Sequence, residues 1–216
     1  ALRIYDLMQY QNPALSKRYL ELVRGVYRRD SAEKHYAVTV AVIWNLAKVM
    51  LIKDEPYVSY LLTRYEKKQR DITKYGIDQT NGDRIVYRHH TNPEFNIGRH
   101  RIRFKITTTD WQLFIVSHCK WLRKMPGWHK REAAFRDWYT GLLSRVNLST
   151  NYAKALDVLK CPEEVTGYRE VRYPKQDRVR DRIESEIGPA PIVPQPETVS
   201  EIGSVLDALG PKGALR

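Results

Sequence analysis

The longest run of non-polar positions lies between Ala37 and Ile52, where only Thr39, Asn45 and Lys48 are polar. A helix that is apolar nearly all round belongs in the middle of a bundle, so this run predicts a buried central helix over about 37–53, Trp44 included. It is too short and too interrupted to cross a membrane, which takes about 20 apolar residues. Pro56 ends it after Lys53-Asp54-Glu55, and suits the first turn of a following helix.

Other helical stripes surround it. Residues 1–10 read as a lead-in helix, and Asn12-Pro13 as a cap and first turn. Leu15, Tyr19, Leu22 and Val26 then make one buried face to about Arg28, before a charged connection over 29–36. After Pro56 a single helix is expected, with Val58, Leu61, Leu62, Tyr65 and Ile72 inward and Arg64, Lys67, Lys68 and Arg70 outward. Gly76 and Asn81-Gly82 close it as turn signals.

The period then changes. Residues 101–107 alternate, with Ile102, Phe104 and Ile106 on one face and Arg101, Arg103, Lys105 and Thr107 on the other. Residues 84–90 are the expected partner strand, Ile85 and Tyr87 inward, across a loop TNPEFNIG. Two strands alone are marginal in water, so the apolar face of this ribbon should lie on helices. Its outer face would gather Arg84, Arg88, His90, Arg101, Arg103 and Lys105, the candidate contacts for a partner.

Thr109-Asp110 caps the next helix, whose stripe Trp111, Phe114, Ile115, His118, Trp121, Leu122 and Met125 reads as core up to Pro126-Gly127. A second aromatic helix runs from about His129 to Val146, with Phe135, Trp138, Tyr139, Leu142, Leu143 and Val146 inward. A short helix capped by Ser149 or Thr150 carries Tyr152, Leu156 and Leu159 and stops at Cys161-Pro162. An irregular stretch leads to a charged helix over 175–187 with the seam Val179, Ile183 and Ile187. The fold class is therefore mainly α, a helical bundle around the central helix with one small two-stranded β-ribbon (about 84–90 and 101–107). The domain is 1–187, followed by a tail over 188–216.

In the tail, Pro189, Pro191, Pro194 and Pro196 read as an extended linker. Ile202, Val205, Leu206 and Leu209 read as a short amphipathic segment that docks on a partner subunit.

Charge modifies this picture. The 216 residues carry a net charge of +12, and the tail is slightly acidic, so the surplus sits on the domain. Lys and Arg are spread along the chain instead of forming one block. That favours a solvated surface or a face for an acidic protein partner, with nucleic-acid binding through the basic ribbon as the alternative. Two cysteines, Cys119 and Cys161, and the lack of a secretory signal point to a cytoplasmic protein with free thiols.

Candidate chemistry is sparse. There is no CxxC, HxxxH or HExxH, and no GxGxxG or GxxxxGK[ST]. Two cysteines cannot hold a four-iron cluster. His118 and Cys119 cannot point one way on a helix, His89 and His90 face opposite sides of a strand, and His35, His100 and His129 have no partner at ligand spacing. Asp54-Glu55 is an acid–base pair on paper, but at a helix corner such neighbours are more often caps. No catalytic, cofactor-binding or metal residue is assigned.

Three segments together resemble a known family. They are NLAKVMLIKDEPYVSYLLT (45–63), DRIVYRHHTNPEF followed by the basic strand, TTTDWQL and HCKWLRKMPGW (83–128), and LKCPEEVTGYREVR (159–172). In this order they resemble the C-terminal domain of bacterial indolepyruvate ferredoxin oxidoreductases. The most specific features are Asn45-Leu46-Ala47-Lys48 with the Lys53-Asp54-Glu55 corner, and Cys161-Pro162-Glu163-Glu164 with Gly167-Tyr168. The resemblance implies a mainly helical accessory or structural subunit of a 2-oxo acid:ferredoxin oxidoreductase, an enzyme that oxidatively decarboxylates a 2-oxo acid to an acyl-CoA. Thiamine diphosphate, Mg and [4Fe-4S] clusters would sit on partner thiamine-dependent and γ-type subunits. The family's domain is usually fused to those regions. This chain starts at an alanine, as after loss of an initiator methionine, and reads as a separate, complete subunit of a hetero-oligomer.

Overall fold

The central run folds as helix α3 (Ala37–Met50). The computed structural model describes residues 1–188 apart from 92, 93, 98, 99 and 104, and for the strand residues between 91 and 103 the backbone only. Around α3 lie α1 (Leu2–Tyr10), α2 (Pro13–Tyr27), α7 (Lys130–Arg145) and α8 (Tyr152–Lys160). The remaining helices are α4 (Glu55–Thr63), α5 (Tyr65–Tyr75), α6 (Asp110–His118) and α9 (Arg169–Ile187). The four short strands are β1 (His89–Thr91), β2 (Glu94–Ile97), β3 (His100–Arg103) and β4 (Ile106–Thr108). The fold is mainly α with a small antiparallel ribbon, as the hydrophobic pattern predicts.

Val38, Val42, Leu46 and Val49 of α3 form one core with Tyr19 and Val26 of α2, Phe135, Tyr139 and Leu142 of α7, and Val158 and Leu159 of α8. The tyrosine hydroxyls buried in it are paired, as the low dielectric demands. The Tyr139 hydroxyl donates to the Leu159 carbonyl at 2.7 Å, and the Tyr19 hydroxyl to the Ile43 carbonyl at 2.9 Å. Asp30, in the charged connection, holds the start of α3 by accepting from Thr39 N at 2.7 Å and from the Tyr152 hydroxyl at 2.8 Å.

One stripe of α3 stays open. Val40, Trp44 and Lys48, four residues apart, face outward, and Trp44 is 56% exposed with the Arg3 guanidinium 4.9 Å from its ring centre. Val40 and Trp44 make that side apolar over most of its length, so the pattern alone could not reveal the uncovered face. Trp44→Ala is therefore expected to cost no more than about 1 kcal/mol, while Leu46→Ala, at full burial, should cost about 3–4. Urea unfolding of the two variants checks the ranking.

Four elements besides α3 and α6 differ from the sequence expectation. The helix after Pro56 is two helices, α4 and α5, parted at Arg64, whose ψ of 149° is extended; Tyr65 is consequently exposed. Helix α8 is capped by Asn151, which accepts from Lys154 N at 3.0 Å, so neither Ser149 nor Thr150 is the cap. Helix α9 begins at Arg169, within the stretch expected to be irregular, and tolerates Pro174 near its start at the loss of one backbone donor. Its seam includes Gln176, Val179 and Ile183, and Arg145 of α7 clasps Glu184 through both carboxylate oxygens at 2.7 Å each. The hydrogen bonds from Arg145, opposed by partial burial, hold the Glu184 carboxyl down at about 2.

The fourth is the ribbon. Its first strand begins at His89, and β2 occupies much of the segment expected to be a loop. β1 pairs with β4, Thr91 opposite Ile106, and β2 with β3, Glu94 opposite Arg103; the two ladders keep one register and are successive lengths of one hairpin. Residues 84–88 precede the ladder. Tyr87 instead donates to the Asp71 carboxylate of α5 at 3.0 Å, beneath the Lys67 ammonium. Ile106, expected inward, is 45% exposed.

Candidate functional site

Two regions hold more than packing requires. The first is a corner where α3 ends and the first turns of α4, α7 and α9 meet. Asp54 caps α4, accepting from Tyr57 N at 2.9 Å, and is 1% exposed. A charge so deeply buried needs a partner. Arg123, from the 3₁₀ turn Lys120–Lys124, supplies it with Nε 2.5 Å and Nη2 2.8 Å from the two carboxylate oxygens. Arg123 also donates to the Tyr10 carbonyl and to Gln11 Oε1. Asp54 is thus a cap and an ion-pair partner, and not one half of an acid–base pair with Glu55.

Glu55 turns the other way, to His129. His129 Nε2 lies 3.0 Å from Glu55 Oε2, and Nδ1 lies 3.7 Å from Glu132 Oε2. The Tyr173 hydroxyl of α9 donates to Glu132 at 3.0 Å. Burial pushes the imidazole down, but its hydrogen bonds and the charges of Glu132 and Glu55 outweigh that and raise its pKa to about 9. At neutral pH the ring is an imidazolium that donates to Glu55 and lies in ion-pair range of Glu132. It has no free nitrogen to accept a proton, so it clamps two helix starts together instead of serving as a base.

The pH dependence follows from that raised pKa. The clamp is fully present below the unfolded value of about 6.5 and fades as pH rises through about 9. With half-exposed Glu55 screening part of it, about 1–2 kcal/mol is at stake. His129→Asn keeps a side chain that accepts the left-handed backbone at φ 44°. It is expected to flatten the decline in stability between pH 6.5 and 9.5, measured by urea unfolding across that range.

The corner opens into a cavity of about 380 Å³. Lys48, Lys53, Arg169 and Arg172 line it, with Leu51, Ile52, Phe135 and Val165 as its apolar floor. Gly167 turns the chain into α9 at φ 92°, where a Cβ would come within 2.7 Å of Val171. The motif residues of the resemblance gather here: Asn45 Nδ2 donates to Glu163 at 3.0 Å, and Lys48 Nζ to the Pro162 carbonyl at 2.6 Å.

The second region is the outer face of α6 and the turn after it. Helix α6 buries Leu113 and Ser117 against α4, while Trp111, Phe114 and Ile115 face outward at 64%, 58% and 54% exposure. Trp121 and Met125 beyond it are also exposed. This is the stripe expected to be core. Helix α6 is apolar on both sides, and α4 covers the side with the smaller residues.

The candidate contacts named from sequence are dispersed. Arg84, Arg88 and Lys105 are exposed, but Arg84 and Arg88 sit ahead of the ladder, so they do not share a strand with the rest. Arg101 and Arg103 are on β3, opposite Asn96 and Glu94; their side chains lie outside the described residues, as do Ile202, Val205, Leu206 and Leu209. Local spacing does not point to His129, because its partner Glu55 is 74 positions away and the local cue is Glu132, one helical turn on.

Among the described residues no three His, Cys, Asp or Glu side chains are placed to hold a metal, and no helix is long and apolar enough to cross a membrane. Cys119 and Cys161 are unpaired thiols, and burial pushes the Cys161 thiol up to about 12.

Residues 1–185 match a protein family described as "Family of unknown function (DUF6537)". No curated protein and no solved structure matches the chain.

Proposed function

We propose, for a chain that belongs to this family of unknown function, that it is a non-catalytic accessory subunit of a cytoplasmic 2-oxo acid:ferredoxin oxidoreductase. It docks on the thiamine-dependent and iron–sulfur or γ-type regions, which hold thiamine diphosphate, Mg and the [4Fe-4S] clusters. The resemblance of its three motif segments supports the choice of enzyme.

The observation that carries a docking role is the outward aromatic face. Trp111, Phe114, Ile115 and Trp121, each more than half exposed, follow one another over a short stretch. Clustered exposed apolar side chains mark interaction sites more often than isolated ones do, and tryptophan is among the residues most enriched at binding hot spots. Lys120 and Lys124 share the 3₁₀ turn with Trp121, and the chain carries +12, so the docking surface it meets is apolar at its centre and acidic at its rim.

Deleting this chain from its native host tests the function. Extracts should lose most of their CoA-dependent reduction of ferredoxin by one 2-oxo acid. Undiminished reduction across aryl, branched and simple 2-oxo acids would refute the reading.

A further inference from the structure

The cavity behind the corner is a place where cations crowd without enough carboxylate to balance them. Lys48, Lys53 and Arg172 line it. The acids near it offset the cations only in part: Glu55 and Glu132 share the one His129 imidazolium, and Glu163, which accepts from Asn45, is the carboxylate acting on Lys48. The crowding is felt at Lys48, whose ammonium is held below the ordinary lysine range first by burial and then by the neighbouring charges of Arg172 and Lys53, against the opposing pull of Glu163. Lys48 is also fixed in place, because its Nζ donates to the Pro162 carbonyl and keeps further protons for another acceptor. Arg172 lines the cavity with its Nε buried and without a hydrogen-bond partner. Lys53 lines the cavity and is exposed, its Nζ 5.8 Å from the centre of the Tyr168 ring.

Like charges held together at a partly desolvated wall destabilise one another unless an anion sits among them. The space is within the range of about 300–1,000 Å³ usual for small-molecule sites, and its floor is apolar. We propose that this cavity binds a phosphate-bearing small molecule, with the phosphate held by Lys48, Lys53 and Arg172 and the organic part lying on Leu51, Ile52 and Phe135. A phosphate suits the wall better than a carboxylate does. It brings up to two negative charges and three acceptor oxygens to three cations, whereas a monocarboxylate leaves most of the repulsion in place. The site is independent of what docks on α6, since no residue of the aromatic face lines it.

Titration calorimetry on the whole chain at constant ionic strength tests this, with pyrophosphate, inorganic phosphate and acetate as probes. Pyrophosphate should bind one to one with Kd below about 1 mM, phosphate more weakly, and acetate not measurably. Lys53→Gln, at an exposed position that leaves the fold alone, should weaken pyrophosphate about tenfold. Lys48→Met should abolish binding, and circular dichroism confirms that each variant is folded. No binding of pyrophosphate would overturn the proposal. Acetate binding as tightly as pyrophosphate would overturn the choice of phosphate. Binding that Lys53→Gln leaves unchanged would overturn the location.

Discussion

Arg123→Met should remove about 3–5 kcal/mol of stability, the largest loss expected from a single substitution on this chain's surface-facing segments. The substitution leaves the 1%-exposed Asp54 carboxylate without its counter-ion, while the methionine roughly fills the volume. It also removes the donors to the Tyr10 carbonyl and Gln11, which tie the end of α1 to the start of α4. The double variant Arg123→Met/Asp54→Asn should recover part of the loss, because asparagine still caps α4 and no unpaired charge remains. Urea unfolding of the two single variants and the double gives the coupling. A loss below about 1 kcal/mol for Arg123→Met would mean that water reaches Asp54.

The second large effect concerns assembly. Trp111→Ser with Trp121→Ser should change unfolding free energy by less than about 1 kcal/mol, since both rings are already more than half exposed. The same pair should weaken association with the catalytic regions at least about 100-fold, because buried tryptophans at an interface centre commonly carry 2 kcal/mol or more each. If the double variant unfolds, the rings are core and the docking face is elsewhere. Equal loss of stability and association would have the same meaning.

Much of the bundle was legible in the sequence because its signals are local. The Asn12-Pro13 cap, the stripe Phe135–Tyr139–Leu142–Val146 and the run from Ala37 each have one strong periodic face or none that is polar. What failed was choosing between faces. On α6 and on α3 an apolar side chain lies on both sides, and only the position of α4, or of α2, α7 and α8, decides which side is covered. The ribbon's first strand starts later than its expected bounds, because the alternation of 101–107 says nothing of how far back its partner begins. The corner was invisible for another reason. Asp54 finds Arg123 and Glu55 finds His129 across some 70 residues of sequence, and no period connects them.

The family resemblance adds a different kind of information. Its most specific residues fall on two separated segments, and the fold brings Asn45, Lys48, Pro162 and Glu163 into direct contact beside the cavity. Motifs that looked like sequence labels are therefore parts of one structural corner.

The accessory role is tested most directly by tagging this chain in its native host and identifying what co-elutes in stoichiometric amount at high salt. An apolar interface survives salt, whereas contacts to nucleic-acid phosphates weaken steeply with it. Thiamine-dependent and iron–sulfur polypeptides should be retained by the wild type and lost with Trp111→Ser/Trp121→Ser. Elution of the chain alone, or with nucleic acid that salt strips away, would contradict it.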